Sequence, residues 1–237
     1  MFNDNTVVAL ATPRGKGAIA LIRVSGSCSR NMVSKLAKLA SGKDICNVKT
    51  HTVNYGSMYD VRGNLLDAVL FLIMDAPRSF TGEDIVEITC HNNNYVINSI
   101  IDSLCSVGAR PALPGEFSRR AVMNDKIDLL KAEGINDLIN ATNYASVKAS
   151  LSQIEGSLSS EISNIDSELS KISAWCRASF EFLEDDRDFS KDILGMLKNV
   201  DFKVKKILST GSSQKIVREG IRIAILGSPN VGKSSLF

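Results

Sequence analysis

Eleven apolar residues, Val147, Leu151, Ile154, Leu158, Ile162, Ile165, Leu169, Ile172, Cys176, Phe180 and Leu183, recur in ten steps over 36 residues, an average of 3.6 per step. That is the period of a straight α-helix. A strand, whose side chains alternate every second residue, cannot present it as one face. The stripe predicts a single helix of about 55 Å at 1.5 Å per residue. Phe189, Ile193, Leu197, Val200, Val204 and Ile207 repeat the pattern. A second helix is therefore expected to fold back along the first after the acidic turn at Glu184 to Asp188. Both stripes read as packing surfaces.

Upstream the texture differs. Between Thr6 and about Leu113, strand-like runs at Ile19 to Val24, Thr52 to Tyr59, Val69 to Met74 and Ile85 to Cys90 alternate with helical spacing at Asn31 to Leu39 and Val96 to Val107. Gly and Pro punctuate the joins, as in an α+β domain. From Gly115 the chain turns to helix-forming residues, without another proline until Pro229. The 237 residues suit two domains and the start of a third. Twenty-eight Lys and Arg against 26 Asp and Glu give a net charge of +2, too small for a nucleic-acid role to be read from a long-range field. Five cysteines with no C-x-x-C pair argue against a disulfide framework or structural zinc, and fit a reducing, cytoplasmic setting. The N-terminus lacks the basic start and apolar core of a signal peptide, and the run Ala68 to Met74 is too short to cross a membrane.

Near the C-terminus, Ile221, Ile223, Ile225 and Leu226 read as a short buried strand, followed at once by Gly227-Ser-Pro-Asn-Val-Gly-Lys-Ser-Ser235. This matches G-x-x-x-x-G-K-[ST] in the required place after a strand. Glycine lets the backbone turn its N–H groups toward phosphate oxygens, and a following helix N-terminus would add its positive end. Lys233 is placed to reach the β- and γ-phosphates, and the Ser234 hydroxyl to bind Mg²⁺. Only Leu236 and Phe237 follow. A second Mg²⁺-holding acid and a residue to position water would lie on later strands, so no catalytic residue is expected in this chain.

Three further segments, read with this loop, resemble the MnmE (TrmE) family of tRNA-modifying GTPases. They are Ala11 to Gly26 (ATPRGKGAIALIRVSG), Ser79 to Glu87 (SFTGEDIVE) with His91, and Pro114 to Leu129 (PGEFSRRAVMNDKIDL). The resemblance implies a mixed α/β domain at 1–118 that binds a reduced folate and dimerises. An incomplete helical domain at 119–219 and the first strand and phosphate loop of an α/β GTPase domain at 220–237 would follow. It further implies a cytoplasmic homodimer working with a flavoprotein of the MnmG (GidA) type. Together they would add an aminomethyl-type group to the wobble uridine (U34) of tRNA, with carbon from 5-formyl- or 5,10-methylene-tetrahydrofolate and a GTP-driven switch requiring Mg²⁺ and K⁺.

Carried over position by position, Arg23 and Lys126 would contact the folate's carboxylate or ring region, and Glu87 would hydrogen-bond the pterin. A carboxylate can accept a forked pair of N–H bonds from an aminopyrimidinone ring, and Arg or Lys suits an anionic tail. Gly227, Asn230, Val231, Gly232, Lys233, Ser234 and Ser235 would form the nucleotide loop, with Asn230 on K⁺ and Ser234 on Mg²⁺. Asn92-Asn-Asn94 stands where the family has glycines, which implies a turn under some strain. Gly134 replaces a better helix former, at roughly 1 kcal/mol, and Leu183 and Arg187 depart from the family's acidic segment. The helical stripe is expected to leave an apolar groove exposed. Alternative readings are a folate-binding dimerisation module without turnover, a non-functional gene fragment, or an unrelated P-loop ATPase with a helical extension. The last leaves the segments at 79–87 and 114–129 unexplained.

Overall fold

The structure is a computed structural model that describes residues 5–181, 189–219, 224, 226–228 and 231–235. It forms two compact units, Met1–Asp128 and Leu129–Phe237. The first is the expected mixture of sheet and helix. Its strands are β1 (Val7–Leu10), β2 (Ile19–Ser25), β3 (Ala37–Leu39), β4 (Thr52–Tyr59), β5 (Leu65–Met74), β6 (Ile85–His91) and β7 (Arg110–Pro111), joined in one sheet in the order β3-β4-β5-β6-β2-β1-β7. Neighbours pair antiparallel except β1 and β7, which run parallel.

Period-2 alternation decides which face of the sheet is dry. Ala20, Ile22 and Val24 of β2, Val69, Phe71 and Ile73 of β5, and Val86, Ile88 and Cys90 of β6 are all buried. They pack with Val33 of α1 (Ser29–Ser34) and with Ile97, Ile100 and Leu104 of α2 (Asn94–Ser106), whose spacing sets an apolar stripe against the sheet. The opposite face is left to the alternate residues. Helix α3 (Glu116–Met123) belongs to this first unit, so the change of texture at Gly115 marks the start of helical sequence, and the first unit runs on to Asp128.

Two local expectations change here. The run Asn31 to Leu39 is not one helix: α1 stops at Ser34, and Ala37–Leu39 pair with β4, Ala37 opposite Met58. Val33, Leu36 and Leu39 are buried, their threefold spacing also fits a helix, and pairing with the open side of β4 decides the conformation of the last three residues. Nor is Asn92 to Asn94 strained, since none of the three has positive φ. Asn93 instead caps α2 in extended conformation (φ −119°), its side-chain oxygen accepting from Tyr95 N and Val96 N. A side chain does there what glycine would do by conformational freedom.

The second unit holds α4 (Leu129–Asn140), α5 (Tyr144–Ile154), α6 (Ser157–Glu181) and α7 (Phe189–Glu219). The long stripe is divided between α5 and α6, because Gly156 turns the chain at φ +88°. Gly134 is a packing residue. A Cβ there would stand 3.2 Å from Gln153 Cγ and from Ile154 Cγ1, so the hydrogen lets α4 lie close on α5. Helices α6 and α7 run antiparallel, with Trp175 edge-on to Phe189 and Lys203 paired with Glu168 further along. Ile172 and Val200 are buried there, yet Leu151, Ile162, Leu169 and Phe180 are exposed, in keeping with an uncovered apolar surface. Leu183, Arg187 and the acidic turn lie outside the described residues.

Candidate functional site

The antiparallel register of β2 and β6 sets Arg23 directly opposite Glu87. Their flanking residues Ile22, Val24, Val86 and Ile88 point into the core, so both charged side chains rise from the other face. Arg23 Nε donates to Glu87 Oε1 at 2.8 Å, and Nη2 lies 2.6 Å from the same oxygen in an ion pair. The guanidinium carbon lies 5.3 Å from the ring centres of both Phe80 and Phe117, within cation–π range of each. Register extends this row across the sheet: Arg23, Glu87, Leu72 on β5, then Val53 on β4. The next row is Leu21, Thr89, Leu70 and Tyr55. Val53 and Tyr55 are 61% and 60% exposed, so the charged pair borders an uncovered apolar stretch of sheet.

One flank of the pair is built by the segment between β5 and β6, held down from several directions. Ser25 Oγ bonds Thr81 Oγ1 and donates to Glu83 Oε2, both at 2.8 Å. Asn124 Nδ2 donates to Thr81 O at 2.7 Å, and Lys126 Nζ to Pro77 O at 2.8 Å. The Lys126 stem lies over Gly82, where a Cβ would come within 3.0 Å of its Cγ. Lys126 is thus fixed to the segment that carries Phe80, with its ammonium on the exposed side.

A chain of alternating charges anchors α3 beside it. Arg120 Nη1 donates to both oxygens of Glu83 at 2.9 Å, and Arg120 Nη2 reaches Glu116 Oε1 at 3.1 Å. Glu116 also accepts a fork from Arg110, at 2.6 and 2.9 Å, and the Leu113 amide at 2.8 Å. These bonds, Arg110 first, hold the Glu116 carboxyl down at about 2 against the opposing effect of burial. Phe80, Glu83, Glu116, Phe117 and Arg120 were not singled out in the sequence. Their positions inside the two segments 79–87 and 114–129 were the available signal.

The nucleotide loop is less developed. Ala224 and Leu226 lie in no strand and Leu226 is 91% exposed, contrary to a buried strand; the rest of Ile221 to Ile225 lies outside the described residues. Lys233 Nζ donates to its own loop's carbonyls, Gly227 O at 2.8 Å and Ser228 O at 2.5 Å. Gly232 has φ +85°, and Lys233–Ser235 form a 3-10 turn. Asn230 lies outside the described residues, and Val231 is exposed. Among the described residues no group of three or more His, Cys, Asp or Glu side chains could hold a metal ion, and no helix is long and apolar enough to cross a membrane.

Comparison with known proteins bears on both units. Residues 6–126 match the family described as GTP-binding protein TrmE N-terminus, and residues 129–230 match the MnmE helical domain. The chain belongs to the MnmE (TrmE) family. It is 39% identical over 235 residues to the tRNA modification GTPase MnmE of Moorella thermoacetica, covering 99% of this chain and 51% of that protein. The namesake from Fervidobacterium nodosum is 42% identical over 238 residues, with 99% and 51% covered, and that from Flavobacterium johnsoniae 38% over 239, with 100% and 51%. The chain spans about half the length of these relatives.

The charge chain at α3 gives the first unit an acid-dependent element. Because the folded Glu116 carboxyl sits at about 2, below its ordinary 4.5, the clamp stabilises the fold above about pH 4.5, and this is lost as the pH falls toward 2. Urea unfolding of the wild type between about pH 6 and pH 2.5 is expected to lose on the order of 2 kcal/mol more than Glu116→Gln. Equal losses in the two proteins would show that the clamp adds nothing.

Proposed function

We propose that the chain supplies the folate-binding and dimerising part, and a helical part, of a tRNA modification GTPase. The observation that carries this is the pairing of Arg23 with Glu87 across β2 and β6, with Lys126 held on the segment that carries Phe80, in a chain that belongs to this family. Glu87 offers a carboxylate to the N–H edge of a pterin, and Lys126 an exposed ammonium to an anionic tail. The reduced folate, 5-formyl- or 5,10-methylene-tetrahydrofolate, brings the carbon for modification of the wobble uridine of tRNA, in the cytoplasm and with an MnmG-type flavoprotein. Calorimetry with 5-formyltetrahydrofolate is expected to show binding that Glu87→Ala and Lys126→Ala each weaken about tenfold or more. Unchanged affinity in both variants would remove this site.

Dimerisation is supported by the apolar rows on the outer sheet face. An antiparallel sheet with Val53, Tyr55, Leu70 and Ile19 exposed on that face presents the kind of surface that another molecule covers. A second copy of the chain is the occupant proposed. Tyr55→Lys with Leu70→Asp should shift the protein from dimer to monomer in sedimentation equilibrium, and a monomeric wild type would rule this face out.

The loop at Gly227, Asn230, Val231, Gly232, Lys233, Ser234 and Ser235 is proposed to hold GTP, with Mg²⁺ at Ser234 and K⁺ at Asn230, when combined with the rest of a GTPase domain. In this chain Lys233 is bonded to its own loop carbonyls, which supports a loop not preorganised for phosphate. The 237-residue protein is expected to give no GTP turnover above a Lys233→Ala control. Hydrolysis that the substitution abolishes would contradict this.

A further inference from the structure

We propose that the cleft at the β3 edge of the first unit binds a small phosphate monoester, with Lys35 and Lys38 on the phosphate and an apolar wall against the organic group it carries. The cavity measures about 360 Å³ and shares no lining residue with the Arg23, Glu87 and Lys126 set. A volume of that order suits a small molecule. Leu36 and Ala37 line it from the start of β3, Tyr59 and Val61 from the end of β4 and the turn beyond, and Val107 from the end of α2.

The charges lining the cleft favour an anion. Lys35 and Lys38 are exposed, and among the described residues neither has an acidic partner. Lys38 Nζ is steadied 4.9 Å from the Tyr59 ring centre. The acid in the lining, Asp60, is committed to its own turn: Oδ1 accepts from Arg62 N and Asn64 N, and Oδ2 from Asn64 Nδ2, all at 2.8 Å. Those bonds, the Asn64 side chain first, hold the carboxyl below its ordinary range and turn its oxygens to the loop. Two ammonium groups match the nearly two charges of a phosphate monoester, whereas a carboxylate brings one.

The strand edge adds direction. Tyr59 N donates to Leu36 O at 2.8 Å, Ala40 N donates to Tyr55 O at 2.9 Å, and Lys38 stands opposite Ser57, so Leu36, Lys38 and Ala40 turn backbone groups toward β4. Ala37 therefore turns its N–H and C=O the other way, where β3 is the last strand of the sheet. A backbone donor and acceptor thus lie in the lining with Leu36, Val61 and Val107, available to the polar groups of the organic part.

The test is titration of the 237-residue protein with phenyl phosphate, followed by amide shifts in nitrogen-15 spectra. Saturating shifts are expected at Ala37, Lys38, Tyr59 and Val61, with a Kd on the order of 1 mM. Lys35→Ala with Lys38→Ala should weaken binding about tenfold, while Lys43→Ala with Lys49→Ala, which removes equal charge outside the lining, should change it by less than about twofold. Benzoate and methyl phenyl phosphate, each with a single charge, should bind at least about fivefold more weakly, and phenyl phosphate itself should tighten as the pH rises through its second ionisation near about 6. Equal losses in the two lysine pairs would reduce the effect to general charge and overturn the proposal. So would a diester that binds as tightly as the monoester, which would point to a nucleic-acid backbone, or shifts that fall outside the cleft.

Discussion

The Arg23 and Glu87 pair is the contact around which the first unit's outer surface is arranged. Two opposite charges on neighbouring strands of a sheet are usual enough, and when exposed they contribute little. Here the pair is partly enclosed, and enclosure raises both the cost of an unpaired charge and the strength of the bonds that prevent it. The enclosing groups are Phe80 and Phe117, and each is held by its own polar bonds: the 77–84 segment by Ser25, Asn124 and Lys126, and α3 by Glu83, Glu116 and Arg110. Removal of Glu87 would therefore leave the Arg23 guanidinium facing aromatic rings.

Much of this unit was legible because alternation is a local signal. The strands at Ile19, Thr52, Val69 and Ile85 appear where the apolar residues alternate, and the structure lengthens β5 to begin at Leu65. What was missed is short or depends on partners. β1 has four residues and β3 three, and a three-residue strand has no period of its own to read. Its conformation is decided by the free side of β4. The Asn92 to Asn94 turn is a different case, in which the residues were correctly seen as unusual and the compensation, a side-chain cap at Asn93, was not.

The candidate site was legible in part. Arg23, Glu87 and Lys126 could be named through the family resemblance, but the pairing register that sets Arg23 opposite Glu87 joins residues 64 apart in sequence and had no signature in either strand alone. The aromatic enclosure of the guanidinium is likewise a property of three segments together. In the helical unit the reverse held. The 3.6-residue period announced the helices plainly, yet could not say that one glycine, Gly156, would divide the stripe, nor which residues would be covered: Ile172 is buried while Phe180 is 75% exposed. Periodicity identifies a face, and burial needs a neighbour for that face.

Helix α7 leads directly into the segment that carries the nucleotide loop. Its 31 residues make a rod of about 46 Å, joined side by side to α6. A rod of that length sets its two ends about 46 Å apart. The contact of Trp175 with Phe189 at the start of α7 and the residues just before 220 are therefore separated by the whole length of the helix.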